Sequence, residues 1–187
     1  MDRGFLFGDA VYEVVPVYDG ACFLLDAHLD RLFYSLLQIN MCSPLSKKQW
    51  ADIIKTLIEK SDKHPLLSVY IHVTRGVPER RNHTYEKNLE PTVYIKCAPA
   101  IVRDYSKGIK AITVEEFRWG RCDIKSTNLL ANILMKQQAK DAGALEAIII
   151  KNGDMVEASS SNVFIVKNGV LKTPPLSHAL LGGVTRE

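Results

Sequence analysis

Residues 10–25 read AVYEVVPVYDGACFLL, two apolar segments on either side of the pair Asp19-Gly20. Aromatic and β-branched residues favour strands, and an Asp-Gly pair between two such runs favours a tight hairpin turn. The stretch therefore predicts a β-hairpin whose strands are AVYEVVPVY and ACFLL.

Two amphipathic helices are predicted after the hairpin. Asp26 is expected to cap a helix that runs to about Asn40, and Ser46 is expected to cap a second helix. Apolar residues recur at spacings of three and four in both segments, which predicts one buried face per helix. The predicted inward residues are Leu29, Leu32, Phe33, Leu36 and Leu37, followed by Trp50, Ile53, Ile54, Leu57 and Ile58.

Two more strands complete the first half, LLSVYIHVTRG at 66–76 and PTVYIKCAP at 91–99. The polar loop between them, residues 77–90, is too long for a simple hairpin turn, and long ordered loops often carry function. Proline and a charged run then interrupt the pattern, so we expect a domain boundary near residues 99–106. This divides the chain into an N-terminal domain, 1–100, and a C-terminal domain, 101–187.

The second half predicts a strand at 109–117, a helix at 128–142 and four short strands. Ser126 or Thr127 is expected to cap the helix, and Gly143 to end it. The strands are LEAIIIK, DMVEA, NVFIVK and GVLKT, with the turns Asn152-Gly153 and Asn168-Gly169. The expected fold class is α/β in the broad sense, an α+β arrangement built on hairpins.

Composition excludes several classes of protein. The chain has 187 residues, 47% apolar, with 24 Lys+Arg against 21 Asp+Glu, which is a globular composition with a net charge of +3. So small a charge, with no basic cluster, predicts no nucleic-acid partner. The four cysteines are widely spaced, which argues against a metal site or a disulfide framework and favours reduced thiols in the core. No run approaches the about 18 apolar residues of a membrane span. We expect a cytoplasmic protein with no membrane partner.

Lys125 is the first candidate functional residue. It lies in CDIKSTN, residues 122–128, at a predicted strand-to-helix junction. A lysine beside the positive end of a helix dipole is disfavoured as a cation, and the lowered pKa that results suits an amine nucleophile. The alternative is a solvated surface lysine.

Two further segments carry candidate residues. Glu157 precedes a hydroxyl run at 159–161, and the alternative there is a polar turn with capping serines. In the segment LLGGVTRE, 180–187, two glycines precede a predicted helix start, whose backbone N–H groups could bind a phosphate. The alternative is a plain turn. A lysine, an acid and a phosphate site in this order suit pyridoxal 5'-phosphate, which needs an amine for its aldehyde, a carboxylate for its ring nitrogen and an anion site.

Six segments in this order resemble the class IV, or fold-type IV, pyridoxal-phosphate aminotransferases. They are DRGFLFGDAVYE (2–13), HLDRL (28–32), the loop from Arg75 to His83, DIKSTNLL (123–130), EASSSNVF (157–164) and LGGVTR (181–186). The resemblance implies that Lys125 is the Schiff-base lysine and proton shuttle and that Glu157 pairs with the pyridine nitrogen. Arg31, Val184 and Thr185 would hold the phosphate, although Arg31 taken alone reads as an exposed helix arginine.

The D-amino acid transaminase branch of this family is the one that the chain resembles most. Its Arg-x-His matches Arg81 and His83, and the resemblance implies that these two residues come from the neighbouring subunit and bind the substrate carboxylate together with Tyr12. The implied reaction converts D-alanine and 2-oxoglutarate to pyruvate and D-glutamate in a homodimer. Open alternatives are a branched-chain aminotransferase, an aminodeoxychorismate lyase, or a non-catalytic remnant that serves as a dimerisation module.

Some positions depart from the family pattern. Ala158 stands where a glycine is usual and Gly182 where a proline is common, and both replacements are small. Chains of this family also extend further at both ends. We therefore expect the sequence to be a fragment, with its second domain truncated at the C-terminus, that binds the cofactor weakly or not at all by itself.

Overall fold

The computed structural model describes residues 1–186, which fold into two compact units. The first unit contains residues 1–102 together with 124–128, and the second contains 103–123 and the chain from Leu129 onward. The sequence prediction assigns residues 124–128 to the C-terminal domain, whereas the structure groups this segment, with Lys125, in the first unit.

A four-stranded antiparallel sheet forms the centre of the first unit, in the order β2-β1-β3-β4. The predicted hairpin is confirmed, because Asp19 and Gly20 both take positive φ, 48° and 83°, as a tight two-residue turn requires. The second strand of the hairpin is shorter than predicted, since Leu25 already begins a helix. The strands are β1, Ala10–Tyr18; β2, Ala21–Cys22; β3, Leu66–Thr74; and β4, Thr92–Pro99.

Three helices belong to the first unit: α1, Arg3–Phe7; α2, Leu25–Gln38; and α3, Lys47–Lys60. Helices α2 and α3 contribute to one hydrophobic core with the sheet, whose fully buried members include Leu29, Leu32, Leu36, Trp50 and Ile54. The inward assignment is wrong for Leu37, which is 66% exposed, and for Ile53, which is 36% exposed. Consecutive helical residues point about 100° apart, so Leu36 and Leu37 cannot both face the core.

The caps of these helices were predicted with mixed success. Ser46 caps α3 as predicted, and a capping box forms with Gln49. Asp26 does not cap α2: the N-cap residue is Leu24, with φ of 47° and no side-chain bond, and Asp26 lies in the first turn, where a negative charge suits the helix dipole. Helix α1 was not predicted. Its N-cap is Asp2, which accepts a hydrogen bond from Gly4 N at 2.7 Å.

The second unit places a helix against a three-stranded sheet of order β5-β6-β7. Strands β5 and β6 are parallel, β6 and β7 are antiparallel, and the core contains Val114, Met135, Ala139, Ala147 and Ile149. Both predicted Asn-Gly turns are confirmed by positive φ at all four residues. The elements are β5, Ala111–Glu115; α4, Leu130–Asp141; β6, Glu146–Lys151; β7, Asp154–Ala158; β8, Ile165–Lys167; β9, Val170–Lys172; and a 3-10 turn, Val184–Arg186.

The start of α4 differs from the prediction. Neither Ser126 nor Thr127 caps this helix; its N-cap is Leu129, without a side-chain bond. Thr127 Oγ1 instead donates to Gly8 O at 3.2 Å within the first unit. Gly143 follows the last turn at φ of 69° and ends the helix as predicted.

Candidate functional site

Lys125 lies beside the beginning of β1. Strand β2 pairs with the end of β1, at Val17 and Tyr18. Residues 124–128 lie along the beginning of β1. Tyr12 N donates to Lys125 O at 2.9 Å, and Lys125 N donates to the buried Ser35 Oγ at 3.2 Å. The predicted helix-start position is therefore wrong, since α4 begins at Leu130. The backbone of Lys125 is held by a strand and not by a helix N-terminus.

The amine of Lys125 lies against an aromatic ring. Its Nζ is 4.4 Å from the ring centroid of Tyr12, which is within the range of a cation–π contact. Burial, with smaller contributions from Tyr70 and Glu13, raises the pKa of Tyr12. The phenol of Tyr12 consequently stays protonated at neutral pH and can donate a hydrogen bond to an anion.

Glu13 is a buried carboxylate next to this pair. Arg31 donates to it through Nε at 2.6 Å and Nη2 at 2.9 Å, and His28 Nδ1 lies 2.8 Å from Oε2. Burial acts to raise the pKa of Glu13, but hydrogen bonds from His28 and Arg31 and the charges of Arg31 and Lys125 hold it below its ordinary value. An ionised Glu13 therefore balances the cations gathered around it.

Sequence reasoning missed Glu13, although a signal was present. Glu13 shares the phase of Val11, Val15 and Val17 on β1, all of which are fully buried. A charged residue at an inward position of an apolar strand needs a partner, and Arg31 is that partner. Arg31 is only 14% exposed and so is not the exposed helix arginine of the alternative interpretation.

Glu157 lies at the end of β7 in the second unit, 6% exposed. Arg118 forms ion pairs with both Glu157 and Glu116, and Leu181 N donates to Glu157 Oε2 at 3.2 Å. Burial raises the pKa of Glu157, although Arg118 and the Leu181 N–H oppose that rise. Arg118 was not among the predicted site residues, and no motif in the sequence singles it out.

The turn that follows Leu181 is closely packed. A Cβ at Gly183 would lie 2.0 Å from Asn162 Oδ1, so a larger residue there would require the Asn162 side chain to move. Arg186 N donates to Gly183 O at 3.0 Å, which closes the turn that contains Val184 and Thr185. Val184 is buried and Thr185 is exposed. Among residues 1–186, the Nη1 atom of Arg186 is buried and has no hydrogen-bond partner.

These residues fit pyridoxal 5'-phosphate in kind. The cofactor needs an amine for its aldehyde, an acid for its ring nitrogen and a site for its phosphate. Lys125 offers an amine, and Glu157 offers a buried acid. The glycine turn beside an unpartnered guanidinium N–H of Arg186 suits an anion.

Arg81 and His83 lie together on the exposed loop 77–90. Both side chains lie near the ring of Phe7. The centroid of this ring is 5.3 Å from the ring centroid of His83 and 4.9 Å from the guanidinium carbon of Arg81. The predicted site residues thus form three groups, which are Lys125, Tyr12 and Arg31 near the beginning of β1; Arg81 and His83 on the loop; and Glu157, Val184 and Thr185 in the second unit.

Residues 1–186 contain no group of three or more His, Cys, Asp or Glu side chains arranged to hold a metal ion. No helix in the same range combines the length and the apolar character of a membrane span. All four cysteines are free thiols. The prediction that they lie in the core is wrong for Cys42, which is exposed.

Comparison with known proteins gives consistent matches. The chain is 40% identical over 187 residues to a D-alanine aminotransferase of Bacillus licheniformis, covering 99% of this chain and 65% of the relative. Among solved structures, a fold IV-transaminase of Curtobacterium pusillum matches at a TM-score of 0.84, with 23% identity over 99% of this chain and 66% of that one. The branched-chain amino acid aminotransferase of Escherichia coli matches at 0.89, with 24% identity over 100% of this chain and 65% of that one.

The fold is therefore the mixed α/β fold of the fold-type IV aminotransferases. The chain spans slightly less than two thirds of the length of the curated relative, at 65%. The family model for class IV amino-transferases matches residues 10–187. The chain belongs to the class IV amino-transferase family.

Proposed function

We propose that the protein transfers the amino group of D-amino acids to 2-oxo acids with pyridoxal 5'-phosphate as cofactor, D-alanine and 2-oxoglutarate being the substrates. The observation that carries the proposal is the position of Lys125, whose backbone is held beside β1 and whose amine lies over Tyr12. Membership of the class IV family and the 40% identity to a D-alanine aminotransferase support it.

Each residue of the proposal has a physical task. Bound pyridoxal phosphate supplies an electron-withdrawing ring that stabilises negative charge on the α-carbon of the substrate. Lys125 would hold the aldehyde of the cofactor and would accept the proton of that α-carbon. Glu157, buried and next to Arg118, would keep the ring nitrogen protonated. Val184 and Thr185 would hold the phosphate.

Arg31 would hold the phosphate together with Val184 and Thr185, and its own orientation is fixed by Glu13. Its Nε and Nη2 atoms are bound to Glu13, which fixes the plane of the guanidinium. An arginine held in this way presents its charge in one orientation, which suits an anion such as phosphate. Glu13 is therefore the residue that positions Arg31.

The preference for D-amino acids rests on the Arg-x-His segment at Arg81 and His83, which resembles that of the D-amino acid transaminases and would bind the substrate carboxylate. Arg81 and His83 supply positive or hydrogen-bonding groups, and the protonated Tyr12 supplies an O–H donor. The resemblance assigns Arg81 and His83 to the partner of a homodimer. A branched-chain aminotransferase remains the second candidate because the Escherichia coli enzyme shares the fold at a TM-score of 0.89.

Labelling with pyridoxal phosphate tests the cofactor and its lysine. Because we expect the 187-residue chain to bind the cofactor weakly, the visible absorption band should develop only at a high concentration of pyridoxal phosphate, and borohydride should then fix the cofactor on the peptide that contains Lys125. The Lys125→Ala variant should remain unlabelled at that peptide, whereas the matched control Lys140→Ala, which changes an exposed lysine of α4, should label normally. Labelling that is equal in wild type and Lys125→Ala would contradict the assignment.

Substrate screening tests the reaction. Consumption of D-alanine with 2-oxoglutarate is expected. Consumption of L-leucine instead would identify the branched-chain activity, and consumption of aminodeoxychorismate would identify the lyase. Labelling of Lys125 without turnover of any of the three compounds would favour the non-catalytic remnant.

A further inference from the structure

Helix α1 is a single short helix with a strong anchorage. Its cap, Asp2, accepts hydrogen bonds from Thr74 Oγ1 at 2.9 Å and Thr92 Oγ1 at 2.7 Å, at the end of β3 and the beginning of β4. Arg3 N also donates to Gly76 O at 2.9 Å. These bonds fix α1 to the sheet at the point where the loop 77–90 leaves it.

The side chain of Arg3 binds the loop directly. Nη1 donates to Asn82 O at 2.6 Å and Thr84 O at 3.1 Å, and Nη2 donates to His83 O at 3.0 Å. A single guanidinium thus binds three consecutive backbone carbonyls centred on His83. Its planar set of N–H donors permits this geometry, which the three N–H groups of a lysine cannot reproduce.

Asp9 completes the anchorage beneath Arg3. Arg3 Nε donates to Asp9 Oδ2 at 2.7 Å, and Arg75 Nε donates to the same oxygen at 2.8 Å. The guanidinium of Arg75 lies 3.8 Å from the ring centroid of Tyr85, a residue of the loop. Burying two arginines, each less than 10% exposed, is costly unless the charges are paired, and Asp9 provides the pairing.

Phe7 contacts the loop from the same side of α1. Residues four apart on a helix share a face, so Arg3 and Phe7 point in one direction, while Phe5 is 81% exposed. The Phe7 ring contacts the side chains of Arg81 and His83, as described above. Arg3 therefore holds the backbone of the loop and Phe7 holds its two functional side chains.

We propose that Arg3 and Phe7 are positioning residues, which fix the loop 77–90 so that Arg81 and His83 are already arranged to bind the substrate carboxylate. The proposal rests on the proposed function. A loop of this length that contains no helix or strand would lose much conformational freedom on binding a small anion, and holding it in advance removes that cost.

Trypsin tests whether α1 holds the loop, and this readout does not require activity. In Arg3→Lys and in Phe7→Leu, cleavage within residues 80–87, followed by mass spectrometry, should be about tenfold faster than in wild type. The matched control is Arg80→Lys, which makes the same chemical change at an exposed position of the loop and keeps a cleavage site. It should be cleaved at the wild-type rate. Phe7→Leu decides the matter if Arg3→Lys fails to fold.

Steady-state kinetics tests whether the loop serves the carboxylate. Both variants should raise KM for D-alanine about tenfold, with kcat changed less than about threefold and borohydride labelling of Lys125 unchanged. Cleavage at the wild-type rate in both variants overturns the proposal, and so does faster cleavage with an unchanged KM. Absence of labelling in the wild type would instead contradict the proposed function, while the cleavage rates would still decide whether α1 holds the loop.

Discussion

Glu13 of β1 supplies the negative charge for the side chains of His28 and Arg31. Its carboxylate is fully buried and binds both His28 and Arg31. In Glu13→Gln the buried partners lose their counter-charge, so we expect the free energy of unfolding to fall by about 3 kcal/mol in urea at neutral pH. The control is Glu59→Gln, at an exposed pair with Lys55 that should contribute less than about 0.5 kcal/mol. Equal stabilities for the two variants would contradict this account.

A single side chain, Arg118, also influences the protonation of Glu157. Burial raises the pKa of Glu157, and Arg118 limits that rise. In Arg118→Gln the opposing charge is absent, so the pKa of Glu157 should move further upward. Carbon-13 NMR of the labelled carboxyl measures the titration directly. Arg121→Gln, which removes a partner of Asp123, should leave the titration of Glu157 as it is in wild type.

The turn after β7 is held by a contact between two elements, because its serines bind a carboxylate of the neighbouring strand β6. Glu146, at the start of β6, accepts hydrogen bonds from Ser159, from Ser160 Oγ at 2.7 Å and from Ser161 Oγ at 3.2 Å, and Lys136 Nζ lies at 2.9 Å. The serines therefore bind a carboxylate from another element, and their role is not simply that of capping groups. This arrangement holds the backbone that follows Glu157.

The pKa of Glu146 gives this turn a defined pH dependence. Burial acts to raise it, but the serine hydroxyls and Lys136 lower it to about 2. A lowered carboxyl pKa stabilises the fold above the unfolded value, near 4.5, and the contribution is lost as pH falls towards 2. We expect Glu146→Gln to reduce the free energy of unfolding by about 2 kcal/mol at pH 7, and the difference from wild type to shrink as pH falls from about 5 to about 2. Glu115→Gln, at an exposed position of β5, should show neither effect.

Acid sensitivity is a property of the whole molecule. Interactions lower the pKa values of six carboxyl groups, whereas the pKa of Glu157 is raised; the six are Asp2, Asp9, Glu13, Asp104, Glu116 and Glu146. The six lowered groups stabilise the fold above their unfolded pKa values and stop doing so as they are protonated; the contribution of Glu157 has the opposite sign. Urea midpoints should therefore be steady near neutral pH and fall below about pH 4.5. A urea midpoint that rises on acidification would show that the contribution of Glu157 outweighs those of the other six carboxyl groups.

Features decided by a few neighbouring residues were predictable from the sequence. The turns at Asp19-Gly20, Asn152-Gly153 and Asn168-Gly169 form as predicted, since positive φ is a local property of Asn, Asp and Gly. The capping box of α3 is equally local, because its two partners are three residues apart. The order of motifs along the chain was also sufficient to indicate the family, although the roles of Lys125, Glu157 and the other site residues stay predictions.

Only the tertiary structure decided the features whose partners are distant along the chain. Thr127 reads as a helix cap, but its hydroxyl binds the carbonyl of Gly8, 119 residues away, so α4 starts later and Lys125 lies beside a strand. Arg3 lies near the beginning of the sequence, yet its guanidinium binds backbone carbonyls about 80 residues away. The sequence by itself determined the local turns, the main strands and the family, because their causes lie within short segments. The pairing of buried charges depended on the fold, because a polar group removed from water binds whichever partner the packed chain brings to it.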